Sequence, residues 1–115
     1  MVTINNERIA VNIKVADTFF KRLKGLMLKK NFFDGDGLIL YPCKQIHTFG
    51  MRINIDVIYI DKDMKVVDIE KSVKKNKFGK RRPKSYYVVE LPEGTLEKYE
   101  VKIGDTVIID ELNES

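Results

Sequence analysis

Residues 53–61 constrain the fold of this chain more than any other segment. They read Ile-Asn-Ile-Asp-Val-Ile-Tyr-Ile-Asp, a run rich in the β-branched and aromatic residues that favour strands. A membrane helix is excluded, because the longest purely apolar stretch is about four residues whereas a bilayer-spanning helix needs roughly 20. The segment therefore predicts a strand packed inside a β-rich domain.

Similar short segments recur along the chain, with turn residues between them. We predict strands over residues 1–4, 8–15, 38–41, 53–61, 64–73, 85–91 and 106–110. Two short helices are predicted. The first covers residues 18–24, with Asp17 or Thr18 as its cap and Gly25 as its stop, and it turns Phe19, Phe20 and Leu23 inward and Lys21, Arg22 and Lys24 to water. The second covers residues 95–100, with Thr95 as its cap.

The length of 115 residues is that of one domain, so we expect a single domain over residues 1–115. Its predicted fold is mostly β, a compact antiparallel β sandwich or small barrel of about seven strands with one or two short helices.

Basic residues are concentrated in residues 71–84, which we call the basic segment. It holds eight of the 21 basic residues and no acidic one, so the rest of the chain has 13 basic and 17 acidic residues. Gly79 and Pro83 disfavour a strand interior, and we predict a solvated loop within the domain. Such a loop either keeps the protein soluble or binds a polyanion such as nucleic acid. The candidate polyanion contacts are Lys74, Lys75, Lys77, Lys80, Arg81, Arg82 and Lys84.

The first residues and the cysteine count bear on location. Residues 1–8 place polar side chains where a secretion signal has its apolar core, and the single cysteine, Cys43, excludes an intrachain disulfide. A lone thiol suits a reducing compartment, so we expect a cytoplasmic protein that does not associate with a membrane. The sequence contains no phosphate loop or dinucleotide fingerprint, and we expect no cofactor.

Cys43 and His47 are the first candidates for chemistry. They are the only cysteine and histidine of the chain, and a Cys–His pair can form a nucleophilic thiolate. Four residues of extended chain span about 13 Å, so the pair meets only if the segment turns. The alternative is that Cys43 is a small buried apolar residue. A zinc site would need Asp56 or Glu90 to complete it, and we expect no metal.

Asp56 and Glu90 are carboxylates within predicted strands whose other residues are mostly apolar. Such a group must be paired, hydrogen-bonded or protonated. On neighbouring strands the two carboxylates would form a catalytic acid–base pair. Alternatively, Asp56 accepts hydrogen bonds from the turn around residues 48–54, or pairs with Arg22 or Arg52.

Six segments, taken in order, resemble a known family. They are Arg22-Leu-Lys-Gly-Leu-Met, Gly37-Leu-Ile-Leu, His47-Thr-Phe-Gly-Met, Ile55-Asp-Val-Ile-Tyr-Ile-Asp, Tyr87-Val-Val-Glu-Leu-Pro-Glu-Gly and Ile103-Gly-Asp-Thr-Val. Their order and spacing, over about residues 9–109, resemble the uncharacterised bacterial and archaeal family named domain of unknown function 192. The resemblance implies a compact antiparallel β sandwich or barrel with short helices, and it implies no established activity.

The chain departs from that family in some positions. Members often have Trp-Met followed by Asn-Thr, where this chain has Gly50-Met51 followed by Arg52-Ile53. The arrangement of Cys43 and His47 is similar to that of a subgroup, so a role for Cys43 would not be general. The recurrent polar and glycine positions of the family fall on Gly25, Asp56, Glu90, Gly94, Gly104 and Asp105. Turns account for the glycines and Asp105, which leaves the two strand carboxylates least explained by folding.

These observations favour a non-catalytic β domain that binds a small ligand or a protein partner. The candidate ligand-binding residues are Met27, Met51, Asp56 and Glu90, although core packing would also explain the methionines. One alternative is an enzyme that uses Cys43 and His47, or Asp56 and Glu90. A second alternative is a protein that binds nucleic acid through the basic segment. The oligomeric state stays open.

Overall fold

The fold described here comes from a computed structural model, which describes residues 1–27 and 31–110. The described chain is mostly β, as predicted, with eight strands and two short helices. In chain order these are β1 Val2–Ile4, β2 Glu7–Ala10, β3 Asn12–Ala16, α1 Phe19–Lys24, β4 Asp36–Leu40, β5 Ile55–Ile60, β6 Val66–Val73, β7 Tyr87–Pro92, α2 Thr95–Lys98 and β8 Val107–Ile109.

The strands form two sheets that do not close into a barrel. The small sheet has the order β2-β1-β8, and the large sheet has the order β3-β4-β7-β5-β6. Among the described strands every pairing is antiparallel except that of β3 with β4, which is parallel, so the prediction of an antiparallel fold was wrong at this position. The reason is the connection: the chain passes through α1 between β3 and β4, and a crossover of this kind brings the second strand back in the same direction.

The predicted strand over residues 8–15 is divided at Val11 between the two sheets. Val11 is 49% exposed, and the backbone N–H groups of Val11 and Asn12 both donate to the Gly35 carbonyl, at 2.8 and 2.9 Å. β2 therefore belongs to the small sheet and β3 to the large one. This division raises the strand number from the expected seven to eight among the described residues.

The large sheet is covered on both faces, which explains why all six residues of β5 are buried. One face packs against the small sheet in the first core, to which β5 contributes Ile58 and Ile60. The opposite face forms the second core under segments 25–27 and 41–51, to which β5 contributes Ile55, Val57 and Tyr59. Side chains alternate along a strand, so the register decides which core each residue enters.

Helix α1 ends where the sequence predicts and begins one residue later, at Phe19, with Thr18 as the cap instead of Asp17. The Thr18 hydroxyl accepts the Lys21 N–H at 3.1 Å, and Gly25 follows the last turn with a φ of +46°. The prediction that Phe19, Phe20 and Leu23 face inward was wrong, because they are 65, 78 and 50% exposed. The sheet face beneath is already covered by residues from the flanking loops, and the six-residue helix buries none of its side chains.

Helix α2 has a different N-terminus from the predicted one. Its cap position is Gly94, in the left-handed region with a φ of +96°, and Thr95 is the first helical residue. The Thr95 hydroxyl donates to the Pro92 carbonyl at 2.7 Å instead of capping the helix. No helix among the described residues is long and apolar enough to cross a membrane.

The basic segment starts within a strand, since residues 71–73 belong to β6. Its remaining part is held against residues 46–48 by backbone hydrogen bonds. The Gly79 N–H donates to the Ile46 carbonyl at 2.9 Å, and the Asn76 N–H donates to the Thr48 carbonyl at 2.9 Å. The Thr48 N–H donates to the Lys77 carbonyl at 2.8 Å. The two loops thus form one layer at the edge of the second core.

Candidate functional site

A cavity of about 410 Å³ opens on the second-core face of the large sheet, between α1 and residues 42–51. The sheet contributes Leu40 and Glu90, and the loop contributes Cys43, Ile46 and Met51 to its walls. The volume lies in the range of small-molecule sites, which are mainly apolar with a few polar groups. We call this space the Glu90 cavity.

Glu90 enters this cavity because of its register in β7. It lies opposite Val57 of β5, and these two residues share the face that forms the second core. The side chain is 3% exposed, and its Oε1 has no hydrogen-bond partner among the described residues. Burial raises the pKa of Glu90 to about 8, so the carboxyl is largely protonated at neutral pH.

Gly25, directly after α1, lies over this carboxyl. A Cβ at position 25 would be 4.0 Å from Glu90 Oε1. The positive φ of Gly25 is the backbone conformation that favours glycine, so no side chain stands between the end of the helix and the acid. The end of α1 therefore packs on Glu90 through backbone alone, while the residue itself also lines the cavity.

Cys43 and His47 line the same cavity, but their polar atoms are engaged elsewhere. The Cys43 thiol donates to the Gln45 carbonyl at 3.3 Å. His47 Nδ1 accepts the Phe49 N–H at 3.3 Å, and Nε2 lies 3.2 Å from the Leu23 carbonyl. The tautomer with its hydrogen on Nε2 satisfies both contacts. His47 thus joins α1 to the loop, and neither ring nitrogen is directed to the thiol.

Burial raises the pKa of the Cys43 thiol, which lies below 10% exposure. The nearby Glu90 carboxylate also raises this pKa, while the Arg22 charge lowers it. A raised thiol pKa is the opposite of what an activated nucleophile needs. The arrangement supports the alternative that Cys43 packs as a small apolar residue.

We expect iodoacetamide to alkylate Cys43 in the folded protein with a pH midpoint above the value of about 8.5 for a free thiol. The measurement is the alkylation rate from pH 6 to pH 11, by mass spectrometry, with the urea-unfolded protein as the reference. His47→Ala should leave the folded midpoint unchanged. A midpoint below 8 that rises in His47→Ala would instead identify an activated Cys–His pair.

Asp56 lies away from the Glu90 cavity, on the other face of the large sheet. Asp56 lies opposite Leu91, the residue that follows Glu90 in β7. Because successive side chains of a strand point to opposite faces of the sheet, the carboxylates of Asp56 and Glu90 point to opposite faces. The structure therefore does not bring Asp56 and Glu90 together as an acid–base pair. Asp56 is 1% exposed, and its carboxylate accepts three backbone N–H groups, from Ser72, Gly94 and Leu96. These partners differ from the turn and the arginines that the sequence suggested.

The two candidate methionines line different cavities, although Met27 lies against Gly50, the residue before Met51. Met51 lines the Glu90 cavity, whereas Met27 lines a second cavity of about 620 Å³ beside β3. Met27 also fixes the turn at Gly50, where an added Cβ would approach the Met27 Cγ to 2.8 Å. No group of three or more potential metal ligands occurs among the described residues.

Three features of the cavity were missed by the sequence interpretation. Arg22 was expected to face water but lines the cavity, and Phe19 and Phe49 lie at its exposed rim. The signal available for Arg22 was its position one turn before Gly25, on the same short helix. Phe49 carried no such signal, because its position depends on the turn of residues 48–50 and on contact with the His47 ring.

Six of the seven candidate polyanion contacts are exposed, and Arg82 is the exception. Its side chain is 12% exposed, and Nε donates to Asp68 Oδ2 at 2.8 Å. Nη2 lies 3.4 Å from Glu70 Oε1, and the guanidinium stands 3.9 Å from the centre of the Tyr59 ring. The Tyr59 hydroxyl donates to the same Glu70 oxygen at 2.7 Å. Arg82 therefore holds the basic segment to β5 and β6.

We expect Arg82→Ala to lower the free energy of unfolding by about 2–3 kcal/mol, because it leaves two carboxylates and an aromatic face without their cation. Urea unfolding followed by circular dichroism measures the change. Arg81→Ala, at the exposed neighbouring position, serves as the control and should change it by less than about 0.5 kcal/mol. Equal effects of the two substitutions would contradict the role of Arg82.

Comparison with known proteins gives both a family match and a fold match. The model of the DUF192 family, described as Uncharacterized ACR, matches residues 1–109. A UPF0127 protein of Thermococcus kodakarensis is 38% identical over 100 residues, which cover 83% of this chain and 62% of that protein. A UPF0127 protein of Pyrococcus furiosus is 31% identical over 104 residues, which cover 86% of this chain and 87% of that protein.

The solved structures agree with the fold. A crystal structure of a protein of unknown function from Novosphingobium aromaticivorans superposes with a TM-score of 0.77 at 22% identity, covering 84% of this chain and 74% of that one. At this identity the likeness concerns the fold alone. The chain spans 62 to 65% of the length of three Thermococcus relatives, so these proteins are longer than the matched domain.

Proposed function

The chain belongs to the DUF192 family, and we propose that it is a non-catalytic binding domain that holds a small ligand in the Glu90 cavity. One observation carries the proposal: a buried carboxyl with an unpartnered oxygen lines a cavity that opens to solvent. A ligand that supplies a hydrogen-bonding partner would satisfy this oxygen.

The energetic cost of Glu90 supports a functional reading. An unsatisfied buried polar atom costs about 1–3 kcal/mol, and folded proteins leave few of them. An apolar or amide residue at this position would avoid the cost of burying an acid. Sites that lower stability without a structural return are often sites of function.

The other polar groups of the cavity support binding more than catalysis. His47 and Cys43 are held by backbone atoms, and burial disfavours the thiolate. We include in the proposal a single domain and, because the only cysteine is a free thiol, a reducing compartment such as the cytoplasm.

The test is a fragment screen against the ¹⁵N-labelled protein by NMR, with equal numbers of amines, carboxylates, neutral polar compounds and apolar compounds. We expect hits that shift the amides of Gly25, Cys43 and Glu90, and that weaken in Glu90→Gln. Glu93→Gln, at an exposed position three residues along the chain, is the control. Hits confined to other surfaces, or hits in the cavity that are unchanged in Glu90→Gln, would overturn the proposal.

The exposure of six basic side chains favours a second candidate function, the binding of a polyanion such as nucleic acid. Lys74, Lys75, Lys77, Lys80, Arg81 and Lys84 are exposed, and none forms a salt bridge with a described carboxylate. The middle of the basic segment is held at residues 46–48 by the backbone of Asn76, Lys77 and Gly79, which restricts the loop that carries these charges. Arg82 is left out of this candidate because it is held by Asp68 and Glu70.

If four to six phosphates are contacted, log affinity should fall with log salt at a slope of about −3 to −5. The measurement is fluorescence anisotropy with a labelled oligonucleotide from 50 to 300 mM salt. Lys75→Gln, Lys80→Gln and Lys84→Gln together should reduce the slope by about 2–3. The matched triple variant at exposed Arg8, Lys14 and Lys62 is the control. A slope near zero, or equal effects of the two triple variants, would exclude the candidate.

A further inference from the structure

We infer that the ligand of the Glu90 cavity is a zwitterion with an apolar body, such as an α-amino acid, whose ammonium group pairs with Glu90 and whose carboxylate pairs with Arg22. This inference rests on the proposed function and names the ligand class for the same site. It follows from the distribution of charge and apolar surface around the cavity.

The inner end of the cavity calls for a hydrogen-bond donor that brings positive charge. Glu90 is the only acidic residue among the described residues that line it, and its Oε1 has no partner among them. A carboxylate in apolar surroundings is stabilised most by a charged N–H donor, because charge-assisted hydrogen bonds are about twice as strong as neutral ones. A primary ammonium group provides three such donors.

The residues around the outer part of the cavity favour a negatively charged group of the ligand. Arg22, Lys24, Lys44 and Arg81 line it, so four cationic residues stand against one acid. Lys44 is already engaged, since its Nζ donates to the Pro83 and Ser85 carbonyls at 2.6 and 3.2 Å. Arg22 uses Nη1 for the Asp17 carbonyl at 3.2 Å, which leaves other guanidinium N–H groups for a carboxylate.

Arg22 and Glu90 approach the same point of the cavity wall, since a Cβ at Gly25 would be 3.7 Å from the Arg22 carbonyl oxygen and 4.0 Å from Glu90 Oε1. Arg22 is half-buried, and its charge and that of Glu90 both act on the Cys43 thiol, in opposite directions. Both groups therefore lie near one side chain of the cavity wall. A ligand with only a positive charge would be repelled by the four cationic residues, and a ligand with only a negative charge would be repelled by ionised Glu90. A molecule with both charges close together satisfies both ends.

The walls between the two ends set the character of the rest of the ligand. Leu26, Leu40, Ile46 and Met51 are buried apolar residues, and Phe49 lies at the rim with 42% exposure. Such walls favour an aliphatic or aromatic group in the ligand over a further polar one.

The experiment compares three matched probes by calorimetry: L-phenylalanine, its amide, which lacks the carboxylate, and its N-acetyl form, which lacks the ammonium group. We expect the zwitterion to bind about tenfold or more tightly than either analogue. Glu90→Gln should weaken the zwitterion and the amide about tenfold and leave the N-acetyl form unchanged. Arg22→Gln should weaken the zwitterion and the N-acetyl form and leave the amide unchanged. Lys21→Gln, exposed on the same helix, is the control.

Proton linkage provides a second measurement that does not depend on variants. The ammonium group pairs with ionised Glu90, so binding at pH 7 should release about one proton per ligand, measured by calorimetry in buffers of different ionisation enthalpy. Equal or tighter binding of either analogue, or no proton release, would overturn the inference. If other fragments bind in the cavity while leucine, phenylalanine and methionine do not, this inference falls and the proposed function stands. If nothing binds there, both fall.

Discussion

Replacing Asp56 by Ala is expected to lower the free energy of unfolding by about 3–5 kcal/mol, the largest loss that we predict for one side chain. The Asp56 carboxylate accepts Ser72 N–H at 2.8 Å through Oδ1, and Gly94 N–H at 3.1 Å and Leu96 N–H at 2.9 Å through Oδ2. Alanine would leave three backbone donors without this partner in a region where Asp56 itself is 1% exposed. The Leu96 donor is buried and the other two are partly buried, and a buried donor left unsatisfied costs about 1–3 kcal/mol.

The position of Asp56 explains why one side chain accepts hydrogen bonds from three backbone N–H groups. The pairing of β5 with β6 shifts register at Asp56, where Ile55 lies opposite Val73 and Val57 lies opposite Glu70. Such a bulge leaves backbone groups unpaired, and Asp56 accepts the Ser72 N–H at this point. The same carboxylate accepts the N–H groups of Gly94, which caps α2, and of Leu96 in its first turn, so it links the bulge to the helix.

Urea unfolding at pH 7 measures the effect, with Glu97→Ala as the control. Glu97 lies on α2 with a side chain that is 75% exposed and 3.7 Å from Lys71, so its removal should cost less than about 0.5 kcal/mol. The loss of unfolding free energy for Asp56→Asn should lie between those for Glu97→Ala and Asp56→Ala, since the asparagine amide keeps one accepting oxygen. A loss below about 1 kcal/mol for Asp56→Ala would show that water replaces the carboxylate.

Much of the fold was predictable because it depends on local patterns. The strands, the cap at Thr18 and the stop at Gly25 follow from alternation and from residue type within a few positions. The division at Val11 and the parallel pairing of β3 with β4 depend on which sheet each half of one apolar run joins. That choice is made by tertiary contacts, such as those with Gly35, and no local pattern encodes it.

The candidate site was predictable in its residue types but not in its grouping. Asp56 and Glu90 have similar surroundings in the sequence, and only the register of β5 with β7 separates a hydrogen-bonded structural carboxylate from an unpartnered one. Arg82 likewise resembles its basic neighbours until Asp68, Glu70 and Tyr59 are brought around it. Burial and partners of a charged residue are properties of the assembled sheet.

Glu90→Gln is expected to stabilise the protein increasingly as pH rises, by about 3–5 kcal/mol at pH 9 and by little at pH 5. The native pKa of Glu90 is raised by burial to about 8, above its ordinary value of 4.5. Between these values the native state binds more protons than the unfolded state, so the contribution of this group to stability falls as pH rises from about 4.5 to about 8. Each pKa unit between these two values corresponds to about 1.4 kcal/mol in the free energy of unfolding.

The variant and the wild type share every other ionisable group, so the difference between their unfolding curves reports position 90 together with its effect on neighbouring groups such as Cys43. The ionisable and charged groups near the Glu90 carboxyl are Arg22, Lys24, Cys43, Lys44, His47, Tyr59 and Arg81. Urea unfolding at pH 5, 7 and 9 gives the difference, and Glu93→Gln should show none that depends on pH. A constant difference for Glu90→Gln would mean that Glu90 ionises as readily in the native state as in the unfolded chain. The expected rise would instead show that the fold is less stable with glutamate than with glutamine above neutral pH, and a ligand that pairs with the carboxylate would offset that cost.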